Sequence, residues 1–78
     1  MEKDFSQDYL NKFGETLKKN RISKGHTLRS LAAECKVDYS DIAKMEKGKI
    51  NITILTVLEL ATALQIHPKK LLDFDFEQ

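Results

Sequence analysis

Seventy-eight residues are enough for one small hydrophobic core and too few for two, so residues 1–78 read as a single domain. With 41% apolar and 32% charged residues, no run approaches the ~18 apolar residues of a membrane span, and the opening MEKDFSQDY has no apolar signal core. The single Cys35 excludes an internal disulfide and makes a cytoplasmic protein the simplest account, whereas the net charge of +1 excludes nothing until its distribution is known.

Residues 1–5 carry no periodic pattern and are expected to be loose. From Ser6, a candidate cap, Leu10, Phe13, Leu17 and Arg21 recur at three- and four-residue steps, with Lys12, Lys18 and Lys19 turned away. The spacing predicts a first helix of about sixteen residues, ending at Gly25. Gly14 inside it costs ~1 kcal/mol of helix propensity relative to Ala, which points either to a close helix contact or to a tolerated weak position. Thr27 caps a second helix whose apolar face is Leu28, Leu31, Ala32 and Cys35. Lys36 and Val37 break the pattern. Asp38 is the cap candidate for a third helix over roughly Tyr39 to Lys47. Asp41 adds negative charge to its first turn, and Gly48 stands where a helix end wants a left-handed residue.

After the loop from Lys49 to Ile52, Thr53 caps a fourth, strongly apolar helix. Ile54, Val57, Leu58, Ala61 and Leu64 form its main stripe, and Leu55 and Leu60 widen it beyond what burial against three short helices requires. His67-Pro68 opens a last short helix with Leu71 and Leu72 on its core side. Asp73 to Gln78 alternate acidic and aromatic residues, and Phe74 and Phe76 need a surface to cover, their own core or a second subunit. No β-type alternation interrupts the first fifty residues. The sum is five helices in one all-α domain, with helices two and three close enough to make a helix-turn-helix.

Charge is concentrated where that pair lies. Residues 16–51 carry nine Lys and Arg against four Asp and Glu, whereas the segments on either side each carry two against four. A basic centre between acidic flanks favours a polyanion partner for the centre. The third helix is also divided. At ~100° per residue, Tyr39, Ser40, Ala43 and Lys44 fall within about 140° of one another, nearly opposite Ile42 and Met45. Such a helix is held from behind and displays a mixed polar surface in front, as a groove reader does and as many ordinary surface helices do.

The string Thr27-Leu-Arg-Ser-Leu-Ala, then Val37, Tyr39-Ser-Asp-Ile, Lys44-Met-Glu-Lys-Gly-Lys and Asn51 through Leu64 resembles the Xre, lambda-repressor-like family of helix-turn-helix regulators over about residues 9–72, residues 73–78 forming a tail. The resemblance implies a five-helix DNA-binding domain whose third helix enters the major groove of double-stranded DNA, acting as a homodimer on an inverted repeat. Carried over by position, Tyr39, Ser40, Ala43 and Lys44 match base-reading residues. Thr27, Arg29, Lys47, Lys49 and Asn51 match residues that grip the DNA backbone, and Arg21 and Glu46 match a structural salt bridge. Lysine donating to guanine and serine bonding in either sense agree with those roles. Two departures are visible. Leu28 stands where relatives often carry a phosphate-binding Gln, and Lys36 stands where many have Gly, so a left-handed residue there would strain the turn.

Other conspicuous residues point elsewhere than to chemistry. Cys35 reads as a small inward-facing hydrophobe, and His26 and His67 have no partners at ligand spacing, so neither a metal nor another cofactor is expected. No phosphate loop or nucleophile–base pair is present, so the chain is not expected to be an enzyme. Surplus apolar residues Leu55, Leu58, Phe74 and Phe76 are either core or a dimer interface, the last two helices commonly supplying the latter in relatives. The alternative is an interaction module whose main ligand is a protein, such as a toxin or another regulator.

Overall fold

In the computed structural model, which describes residues 5–76, the chain forms α1 (Phe5–Ser23), α2 (Leu28–Glu34), α3 (Tyr39–Glu46), α4 (Ile54–Leu64) and a closing 3-10 helix (Pro68–Leu72). The last element is thus one tight 3-10 segment and not a fifth α-helix. Ser6 lies inside α1 and does not cap it, and Phe5 is helical instead of loose.

The helix ends follow local chemistry. Thr27 Oγ1 accepts from Ser30 N–H at 3.0 Å while Ser30 Oγ accepts from Thr27 N–H at 2.9 Å, a reciprocal capping box. Thr53 Oγ1 likewise accepts from Thr56 N–H at 3.2 Å. Asp38 occupies the cap position of α3 but makes no side-chain capping bond. At the exit of α3, Gly48 (φ 70°) lets its N–H reach Met45 C=O at 3.1 Å and Lys49 N–H reach Lys44 C=O at 2.9 Å. The end of α4 makes the same turn with Gln65, a non-glycine residue at φ 59°. The α2–α3 turn needs no left-handed residue at Lys36, because Cys35 runs extended (φ −139°, ψ 179°). The expected strain at Lys36 is therefore absent.

Phe13 and Leu17 from α1, Leu31 from α2, Ile42 and Met45 from α3, Val57, Leu60, Ala61 and Leu64 from α4, and Leu71 form one buried core. Each fully buried Leu or Ile in it stabilises the fold by about 1.5–3 kcal/mol relative to exposure. The α4 stripe is rotated from the expected one: Leu60 is buried and Ile54 and Leu58 are outside. Val57, Leu60, Ala61 and Leu64 keep the helical relation of i, i+3, i+4 and i+7, so the rule holds while the choice of face was set by where α2 and the 3-10 helix pack. Leu72 is also exposed, since only Leu71 of the last turn points inward.

Gly14 explains itself in the packing of α1 on α3. A Cβ there would stand 2.5 Å from the carbonyl oxygens of both Met45 and Glu46. Backbone meets backbone at this point, so α3 sits closer to α1 than any side chain would allow.

Candidate nucleic-acid interface

The third helix is fixed from three directions. Ile42 and Met45 anchor its buried side in the core, and Gly14 brings its C-terminal carbonyls against α1. The third hold is ionic. Arg21 Nε donates to Glu46 Oε2 at 2.6 Å and Nη2 to Glu46 Oε1 at 3.0 Å, while Nη1 donates to the His26 carbonyl at 2.9 Å. The fork thus ties α1, the α1–α2 turn and α3 together, with the two side chains 10% and 7% exposed. The hydrogen bond to Glu46 raises the Arg21 pKa above its usual value against the opposing effect of burial, and the Glu46 charge adds to the rise.

On the opposite side Tyr39, Ser40 and Lys44 are exposed, and Ala43 is half-buried. Ala43 shares a shallow hollow with Lys18, Leu28 and Lys47, so its methyl is reached from the same side as two lysines. Lys18, which its spacing turns away from the core, stands beside Lys47 because α1 and α3 pack closely, which no local pattern reports.

Backbone-contact candidates lie at both ends of α3. At its start, Thr27 and Arg29 are exposed on the first turn of α2, and the Arg29 guanidinium carbon lies 4.2 Å from the centroid of the Tyr39 ring. At its end, Lys47, Lys49 and Asn51 are all exposed. Asn51 Oδ1 accepts from Ile52 N–H at 2.9 Å, which leaves the amide NH2 as the outward donor. Eight residues of helix at 1.5 Å each separate these groups by about 12 Å.

Two residues without a role in the sequence reading position that exit. Gln7 Nε2 donates to Gly48 C=O at 2.8 Å and to Asn11 Oδ1 at 2.9 Å, and a Cβ at Gly48 would run into Asn11. Gln7 and Asn11 are four apart on α1, a spacing that made them neighbours but could not say against what.

The apolar residues outside the core separate into two places. On α4, Ile54 and Leu55 are 65% and 68% exposed and Leu58 is 41% exposed, an uncovered crest. Phe74 and Phe76 instead stack on each other with centroids 4.8 Å apart, and Phe76 lies 5.1 Å from the Tyr9 ring on α1. Lys12 Nζ holds this tail by donating to Asp75 C=O at 2.8 Å. The groove bounded by Tyr9, Phe74 and Phe76 reaches Ile54, where the two places meet. Among the described residues no group of His, Cys, Asp and Glu is arranged to hold a metal, and no helix is long and apolar enough to cross a membrane.

A family model described as helix-turn-helix matches residues 17–71. The control protein C.BamHI of Bacillus amyloliquefaciens is 33% identical over 63 residues, which cover 80% of this chain and 78% of that protein. The crystal structure of the restriction-modification controller protein C.AhdI from Aeromonas hydrophila superimposes with a TM-score of 0.77 at 39% identity, covering 80% of this chain and 94% of that one. The clp gene regulator ClgR from C. glutamicum has the same fold, with a TM-score of 0.77 at 24% identity over 91% of this chain and 87% of its own.

Proposed function

The chain belongs to the Xre, lambda-repressor-like helix-turn-helix family, and from that premise we propose that it reads an inverted-repeat operator as a homodimer, α3 of each copy lying in the major groove. It is a DNA-binding transcriptional regulator and not an enzyme. The observation that carries the finer reading is the division of α3: Ile42, Met45, Gly14 and the Arg21–Glu46 fork fix one side, and Tyr39, Ser40 and Lys44 are exposed together on the other. A rigid element presenting donors and acceptors outward is what direct readout requires. Tyr39, Ser40, Ala43 and Lys44 then read base edges, while Thr27, Arg29, Lys47, Lys49 and Asn51 grip phosphates on either side.

The dimer is proposed to close through the α4 crest of Ile54, Leu55 and Leu58, with the Phe74–Phe76 tail at its edge where the groove meets Ile54. Likeness to the restriction-modification controller protein C.AhdI supports a more specific role, control of restriction and modification genes, and a cytoplasmic location belongs to the same proposal.

Gel-shift titration against duplexes selected from a random library tests the mechanism. Lys44→Ala is expected to relax base preference, whereas Lys47→Ala should weaken every duplex alike and flatten the salt dependence by about one phosphate contact. Equal binding by the wild type and both variants would sink it. The genetic role is checked by measuring transcription from the promoter of the protein's own gene with and without the protein; an unchanged rate refutes it.

A further inference from the structure

Two arginines next to the recognition helix have opposite fates. Every guanidinium nitrogen of Arg21 is bound within the fold. Arg29, by contrast, is exposed on α2, and among the described residues its guanidinium meets no carboxylate or carbonyl; what it meets is the face of Tyr39, with 4.2 Å between guanidinium carbon and ring centroid. Tyr39 is the first residue of α3 and 42% exposed, so the helix itself offers no preceding turn to fix its ring. The stack supplies that constraint from the neighbouring helix.

We propose that Arg29 is a positioning residue for base reading, and that Arg29 and Tyr39 act as one specificity element joining α2 to α3. The inference rests on the groove-reading function above and adds to it. A planar guanidinium lying over an aromatic face keeps its N–H edge free, because those donors radiate in the plane of the group and not toward the ring. Tyr39 therefore fixes the plane in which Arg29 presents its donors, and Arg29 fixes the ring whose edge and hydroxyl meet the groove. A phosphate grip alone makes a different prediction, since it needs the charge and not the plane.

The test measures affinity for a duplex selected from a random library by the wild-type protein and for a scrambled duplex of equal length. Arg29→Ala and Tyr39→Ala should each lower the ratio of the two affinities. The double variant should be no worse than Tyr39→Ala alone, a coupling of roughly 2- to 5-fold for a stack at an exposed site. Arg29→Lys should keep binding to scrambled DNA but not restore the ratio. Tyr39→Phe, which keeps the ring face, should retain the coupling to Arg29. Multiplicative losses in the double variant, or full rescue of the ratio by lysine, overturn the proposal and return Arg29 to a simple phosphate contact. Those outcomes leave the groove reading standing; a library that yields no preferred duplex overturns both.

Discussion

Arg21 and Gly14 show how a single residue decides the pose of α3. The Arg21 pKa is raised, first by its hydrogen bond to Glu46, so the stability contributed by the Arg21 charge is fully present below the ordinary arginine value and is lost as pH rises through the raised one. Removing one partner leaves the other charge desolvated, so Arg21→Ala or Glu46→Ala should cost about 3–5 kcal/mol in urea unfolding. Arg21→Met combined with Glu46→Leu should cost less than either single change, because an apolar pair needs no compensating charge. An additive double variant would show that the two charges do not depend on each other. Gly14→Ala tests backbone contact. In an open helix it would stabilise by ~1 kcal/mol, but here the methyl meets two main-chain carbonyls at 2.5 Å. The sign should therefore reverse, to a loss of about 1–3 kcal/mol, accompanied by weaker DNA binding as α3 is displaced. A more stable Gly14→Ala protein would refute the close approach.

At the scale of elements, what the sequence reveals is what nearest neighbours determine. Thr27 and Thr53 cap their helices as their local pattern predicts, and Gly25 and Gly48 both take positive φ at helix ends. The division of α3 was legible for the same reason, since Ile42 and Met45 reveal a buried face at any helical spacing. The face chosen by α4 was not, because almost every position of Ile54–Leu64 offers an apolar or small side chain and only the neighbours select among them. Nor could spacing show that Gln7 and Asn11 meet Gly48, or that Arg29 lies over Tyr39, since both contacts join different helices. The left-handed turn that ends α4 at Gln65 was not legible, because no glycine marks it. Gln65 holds a left-handed conformation that costs an L-residue roughly 1–2 kcal/mol, part of which glycine would return as chain entropy. Gln65→Gly is thus expected to raise stability by about 0.5–1 kcal/mol, and a lower thermal midpoint would contradict the strain assigned to that turn.

For the whole molecule, the distribution of charge and of apolar surface points to one copy being insufficient. Around α3, Asp38 and Asp41 stand against Lys44, Lys47 and Lys49, Glu46 being paired with Arg21, so a single copy offers only modest electrostatic affinity for DNA. In the proposed dimer the uncovered crest of Ile54, Leu55 and Leu58 brings in the second copy, with two α3 helices about 34 Å apart on one face of the duplex. Leu55 is the residue to change, because at 68% exposure it adds little to its own core. In sedimentation equilibrium Leu55→Lys should run as a monomer where the wild type runs as a dimer. The thermal midpoint of the wild type should rise with protein concentration, as mass action requires of an associating fold, whereas that of the variant should not. Operator affinity should fall steeply in Leu55→Lys, since the second half-site is then no longer held near by the first. Phe76→Ala separates the two apolar regions: its ring already rests on Tyr9 and Phe74, so its removal should loosen the tail while leaving most of the dimer intact. Dissociation by Phe76→Ala with no effect of Leu55→Lys would move the interface from α4 to the tail, and with it the spacing of the half-sites.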